Sequence, residues 1–263
     1  MTAVTAGPPR AGRELSGAVP LSRLLQVELR KLVDTRSGRW LLISIALLTA
    51  AVITLFLFTV DPEELTYANF VDATTAPQSL LLPILGILTV TSEWGQRTGL
   101  VTFTLEPHRG RVVVAKIAAA VLLGMAALAI ALGLAALANV AGQSLQDGSG
   151  SWEFGASGVR DLVVQQLIAV VQGLAYGMLI MNAAGAIVTY FALPTVWSIL
   201  VATVDAFERI GEWADLGTTG VPLSEHTMDG DAWARLAVSV LIWVGIPLVL
   251  GWIRLQRREL RSA

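Results

Sequence analysis

The chain has 263 residues, of which 54% are hydrophobic and 14% charged, and its mean hydropathy is +0.66. Soluble domains carry about 25% charged residues, so the deficit excludes an ordinary soluble protein and places the chain among polytopic helical membrane proteins. With no cysteine, disulfides, thiolate catalysis and Cys-ligated zinc are excluded, and the formal charge of −2 averages over two very unequal sides.

Residues 1–19, rich in Ala, Gly, Pro and Thr with Arg10 and Arg13, read as a flexible cytoplasmic tail. A cleaved signal peptide is not expected, because the first hydrophobic run starts near residue 40 and is of full spanning length. In residues 20–35, Leu21, Leu24, Leu25, Leu29 and Leu32 share one helical face, opposite Arg23, Gln26, Arg30, Lys31 and Asp34. A basic amphipathic helix directly before a span is expected to lie in the membrane interface; a solvated helix packed on a partner is the alternative. Six spans follow within residues 40–253. The first, 40–60, has no charge and at about 1.5 Å per residue covers the roughly 30 Å hydrocarbon core. The second, 76–97, is expected to kink at Pro83. The third, 112–141, is long enough to tilt or project, with Lys116 snorkelling to the interface. Residues 162–204 hold no charge and are too long for one span. They divide into spans 162–181 and 185–204 around a turn near 182–185. A loop over 205–232 spaces Phe207, Ile210 and Trp213 as a short surface helix would. The last span, 236–253, precedes a basic tail, 254–263.

Fifteen of the eighteen Lys and Arg residues fall in 1–39, 97–116 and the tail, whereas fourteen of the twenty acids fall in the opposite loops. The positive-inside rule then puts both termini in the cytoplasm of a multi-pass cell-membrane protein. Trp40, Trp94 and Trp252 fall at the expected inner boundaries and Trp152, Trp213 and Trp233 at the outer ones, as interfacial anchors do. Trp197 and Trp243 lie deeper and read as packing residues.

The chain has no G-x-x-x-x-G-K-[ST] phosphate cradle and not even a Gly-Lys pair, so ATP-driven work requires a partner. No acid or base falls near the middle of an expected span, which weighs against ion-coupled transport. Gln165, Gln166, Gln172, Asn139 and Asn182 are the polar candidates, read first as interhelical glue. Ala169, Gly173 and Gly177, and separately Ala127, Ala131 and Ala135, form small-residue rows that permit close helix approach, within the chain or at a dimer seam. Enzyme signals are weak. Glu63 and Glu64 lack the following Arg of paired-glutamate intramembrane proteases, and the Gly148-Ser149-Gly150 run has no nearby His. His226 with Glu225, Asp229 and Asp231 reads as solvated loop chemistry rather than a metal site. Nothing points to nucleic acid.

The polar stretch between spans two and three carries Glu93, Arg97, Glu106, His108, Arg109, Arg111 and Lys116. Glu93 and Arg97 have i,i+4 spacing and can pair on one helix face. Leu100, Val101, Phe103 and Thr104 then form a short apolar segment stopped by Pro107 and Gly110. An ordinary positive-inside loop explains the charges, and a docking surface explains the exposed apolar residues.

Three features together resemble the permease subunits of ABC-2 type exporters: the ELRKLVDTRSGRW segment (28–40), the TSEWGQRT…LEPHRGR…AK run (91–116), and six spans with a surface or re-entrant helix between spans five and six. The Ala/Val/Arg-rich, Lys-poor composition resembles actinobacterial members. The resemblance covers about 20–258. It implies an all-α, six-span fold with an N-terminal elbow helix and no catalysis of its own. It further implies a coupling helix built from Glu93, Arg97, Thr98, Leu100, Val101, Phe103 and Glu106, and an elbow in which Glu28, Arg30 and Lys31 lie against the ATP-binding subunit. ATP and Mg would belong to that partner, with no cofactor in this chain. A second permease copy, or a sister permease, would complete the transporter. A secondary carrier or channel-like protein independent of ATP is the alternative.

Overall fold

The structure, a computed structural model, describes residues 19–95 and 108–257. Among the described residues no strand forms. The helices are α1 (Leu21–Asp34), α2 (Arg36–Thr59), α3 (Tyr67–Gly95), α4 (Arg109–Gln146), α5 (Ala156–Ile180) and α6 (Ala183–Thr203). Two short helices, α7 (Asp205–Ala214) and α8 (Leu216–Ser224), lead to α9 (Gly230–Val240) and α10 (Ile246–Arg257), which a π-helical turn over Leu241–Gly245 joins into one rod. Six of these, α2 to α6 and the Gly230–Arg257 rod, are long and apolar enough to cross a membrane. The chain is a multi-pass, all-helical membrane protein.

Local chemistry explains the breaks. Thr35 is extended (φ −69°, ψ 145°) and ends α1, and its hydroxyl accepts the Gly38 N–H at 3.3 Å to start α2. Between α5 and α6, Met181 adopts a left-handed conformation (φ 57°) and Asn182 caps α6 by accepting the Gly185 N–H at 2.8 Å. The 43-residue charge-free run thus turns at Met181–Asn182. One residue beyond the π turn stands Pro247, which has no N–H to give and whose ring crowds the preceding turn; the widened backbone accommodates it. Helical structure outruns the apolar runs. The third helix begins at Tyr67 because Phe70, Val71 and Thr74 are fully buried, so packing overrides Asp72 and the Thr pair. The 38 residues of α4 span about 57 Å, well beyond the hydrocarbon core. The 205–232 loop holds two helices rather than one. Asp215 starts the second by accepting from Thr218 N at 3.0 Å and from the Thr218 hydroxyl at 2.7 Å.

The bundle is organised around α3 and α5. Their backbones meet at Gly173, where a Cβ would fall 2.1 Å from the Pro83 carbonyl oxygen, and again at Gly177, 2.9 Å from that of Ile87. Gly173 and Gly177 of the small-residue row on α5 are therefore consumed inside the chain. Ala131 and Ala135 of the row on α4 are likewise fully buried. Around the α3–α5 axis, Leu82, Val90, Val113, Val170, Leu174 and Met178 form the main core. A second core of Leu57, Leu65, Phe70, Leu128 and Leu162 closes one end. In α6, by contrast, only Ala186 is buried.

Helices α2 to α5 alternate in direction. Arg109 of α4 donates to the Leu255 carbonyl at 2.8 Å, and Arg111 donates to that of Val19. Both described ends of the chain thus lie at one end of the bundle, called here the α1 end; α7 and α8 lie at the far end. Among the tryptophans, Trp40, Trp152 and Trp213 are exposed, whereas Trp243 is buried and donates to the Ala214 carbonyl at 2.6 Å, beside Trp197. The side chain of Trp94 lies outside the described ones.

Candidate functional site: a buried charge cluster at the α1 end

Helix α1 packs its Leu25, Leu29 and Leu32 against Leu85 of α3 and Ala119 and Leu123 of α4. Glu28 sits inside that leucine stripe, one turn from Leu25 and Leu32, so docking the stripe carries a carboxylate into the bundle. Glu28 is 4% exposed, Glu93 5% and Lys116 3%. Burying such charges costs several kcal/mol each unless they are paired and fully hydrogen-bonded.

They are. Lys116 Nζ lies 2.7 Å from Glu28 Oε2 and 2.9 Å from Glu93 Oε1, and donates its third bond to the Thr89 carbonyl at 3.1 Å. Lys31 Nζ lies 2.8 Å from Glu28 Oε1 and 2.6 Å from Glu93 Oε1. Among the described residues, two carboxylates and two ammonium groups form a ring of balanced charge joining α1, α3 and α4. Burial pulls the Lys31 ammonium down, but the Glu93 and Glu28 carboxylates beside it outweigh that, and its pKa is raised above the ordinary 10.5.

Space decides what the ring can do. A void beside it, lined by Glu28, Lys31, Thr35, Leu85 and Thr89 among others, holds about 10 Å³, which is at the lower limit for a single water. That void takes no ligand, and among the described residues the ring fastens α1 to α3 and α4.

Of the residues named from sequence, Glu28, Lys31 and Glu93 are brought together here, paired with one another and with Lys116. Arg30 is exposed on the opposite face of α1. Arg97, Thr98, Leu100, Val101, Phe103 and Glu106 lie outside the described residues, as do the tail arginines Arg258 and Arg261. Lys116 does not snorkel to an interface: the carboxylates of two other helices hold it inside. The signal for this was present in Glu28, an acid within a leucine stripe, but its partners 88 residues away were not legible from spacing.

The far end holds a second charged cluster. Asp161 is fully buried; it accepts from Arg160 Nε at 2.8 Å and lies 3.3 Å from His226 Nδ1. The Phe154 ring meets His226 edge-on at 5.5 Å, and Arg160 covers Trp233 at 5.1 Å. His226 thus turns to Asp161 rather than to its sequence neighbours Glu225, Asp229 and Asp231, and no group of three metal-ligating side chains occurs among the described residues. Nearby, a concavity of about 260 Å³ opens between α3 and α5. The other polar candidates are structural: Asn139 donates to the Gly150 and Ser151 carbonyls, and Asn182 caps α6.

No family model matches the chain, and no curated protein does.

Proposed function

We propose that this chain is the membrane-spanning permease subunit of an ABC-2 type exporter, with ATP hydrolysis in a separate subunit that docks on residues 96–107 and on α1. The observation that carries the reading is the charge ring. It ties α1 to the last turn of α3 and the first turns of α4, the two helices that bracket 96–107. A push on that stretch would therefore reach α1 and, through the α3–α5 contact, the centre of the bundle. Charge distribution supports a cytoplasmic location for this end. On this reading the chain has no catalysis of its own, and a second copy or a sister permease completes the pathway.

Docking is assigned to Arg30 and the apolar segment around Phe103, while Glu28, Lys31 and Glu93 hold the docking elements in place. The test is co-purification of tagged chain with an ATP-binding subunit, followed by transport with and without that subunit. Substituting Phe103→Ala or Arg30→Ala should uncouple ATP turnover from transport in a protein that still folds. Transport that persists without any ATP-binding subunit sinks the proposal. A specific observation favours the second reading, an ATP-independent carrier: Asp72 lines the concavity between α3 and α5, where an ion-coupled carrier would place a carboxylate. Transport driven by an imposed ion gradient, without ATP, selects it.

A further inference from the structure

The ring at the α1 end balances two carboxylates against two ammonium groups among the described residues. The cluster at the far end does not balance in the same way. Asp161 is fully buried on α5, and its Oδ1 takes both Nε and a terminal nitrogen of Arg160, each at 2.8 Å. Its other oxygen, Oδ2, faces His226 Nδ1 at 3.3 Å. Asp72 of α3 is within electrostatic reach of the same imidazole. Two carboxylates thus stand against one permanent cation, and the proton that would balance them is one that His226 can carry. Imidazole is the side chain that ordinarily gains or loses a proton between about pH 5 and 8.

The remaining charged and titratable groups around the histidine do not supply that positive charge. Asp147 and Glu153 on the 147–155 loop and Glu225 beside the histidine are exposed acids. Tyr67 of α3 meets Phe154 rather than the imidazole, and α8 carries no charged side chain. On the α9 side, Asp229 caps the helix by accepting the Ala232 N–H at 2.8 Å, and Arg235 pairs with Glu212 and Asp231.

Backbone geometry is a second, independent observation. His226 lies in the turn after α8 with φ 58°, a left-handed conformation that is unfavourable for a residue with a Cβ and persists where its surroundings hold it. Asp161 grips the ring, and Phe154 meets it edge-on at 5.5 Å. Phe154 is itself wedged against α5 at Gly158, where a Cβ would fall 2.8 Å from the phenyl ring. The Asp161–His226 contact therefore ties a strained turn to α5. Ser224, two residues before the histidine, is a wall of the concavity between α3 and α5.

We propose that His226 is a proton-operated clasp. Protonated, it completes the charge balance with Asp161 and Asp72 and fastens the turn between α8 and α9 to α5. Deprotonated, it keeps only a neutral hydrogen bond, about half as strong as a charge-assisted one, and the turn loosens beside the concavity. The clasp is thus tight in acid and slack in mild alkali. On the topology proposed above this end faces outward and the clasp answers external pH; the clasp itself does not depend on that topology or on the exporter reading.

Because the chain has no cysteine, a pair of spin labels can be placed without background. Val221→Cys on α8 and Ser157→Cys on α5, both exposed, report the separation of these helices by double electron–electron resonance on the full chain in a non-ionic detergent. At pH 5.5 a single short distance is expected. At pH 8.5 a longer distance should gain about fivefold in population, the factor separating a charged from a neutral hydrogen bond. His226→Gln keeps a hydrogen-bond donor without a titratable group, and its distances should be the same at both pH values. His108→Gln removes the other of the two histidines and should leave the shift in place. A labelled parent whose distances do not change between pH 5.5 and 8.5 overturns the proposal, and so does a shift that survives in His226→Gln or vanishes in His108→Gln. The first of these comparisons needs no substitution in the cluster, so it decides even where His226→Gln fails to fold.

Discussion

At the scale of single residues, the charge ring makes Glu93 the most consequential side chain described. It accepts from both lysines, so truncating it strands two buried or half-buried ammonium groups against the single carboxylate of Glu28. Glu93→Ala is expected to cost about 3–5 kcal/mol, measured by chemical denaturation in detergent. Glu28→Ala combined with Lys116→Ala should cost less than the two single losses added, because the double variant removes opposite charges together; strict additivity would mean the pair does not interact. For Lys31 the sign of the pH dependence follows from its raised pKa. A raised value means the folded state holds the proton more tightly, so the stabilisation is complete below 10.5 and fades as pH climbs past the raised value. Stability from Lys31 should be flat between pH 6 and 9 and fall only in strong alkali. A Lys31→Met variant should lose that alkaline limb, and a wild-type fall below pH 9 that Lys31→Met abolishes would contradict the assignment.

At the scale of elements, the α3–α5 contact carries the bundle. The 2.1 Å approach at Gly173 is to backbone, which cannot rotate away as a side chain could. Gly173→Ala must therefore separate the helices, at about 1–3 kcal/mol or more. The alanine variant is expected to unfold at lower temperature, and a variant as stable as the parent would show that the helices are not in such contact. Helix α1 is held by two unlike devices: leucine burial, which is tolerant of register, and the charge ring, which is not. The leucine stripe alone would allow α1 to slide or roll on α3 and α4. The ring admits one position, because each ammonium must reach two carboxylates on different helices. This is the sense in which a buried ionic network adds specificity where apolar packing adds affinity.

At the scale of the whole molecule, the alternating helices leave both described ends at the α1 end, beside the first turn of α4. The sidedness proposed from the charge distribution is open to direct measurement. Ser37 and Glu153 are exposed at opposite ends of the bundle, in a chain without cysteine. In intact cells a membrane-impermeant maleimide should label Glu153→Cys and spare Ser37→Cys until the membrane is permeabilised; the reverse order would invert the topology. The exposed apolar faces of α2, α6 and α10 offer wide contact to lipid or to a second copy, in keeping with a subunit that works as one of a pair on the proposed reading.

Much of this was determined by the sequence alone. Helical class and six apolar runs follow from composition and from the absence of charge over 40–60 and 162–204, since a charged or open backbone group has no partner in hydrocarbon. That the 162–204 run must turn was legible because 43 residues cannot cross once; the sequence placed the turn near 182–185, and the structure puts it at Met181–Asn182. Tertiary structure decided the rest. Glu28 and Lys116 lie 88 residues apart, and no local period relates them; only the folding of α1 onto α3 and α4 makes them neighbours. His226 finds Asp161 across 65 residues for the same reason. Side chains near in sequence announce themselves through helical spacing, whereas a buried charge reveals its partner only after the chain has closed around it.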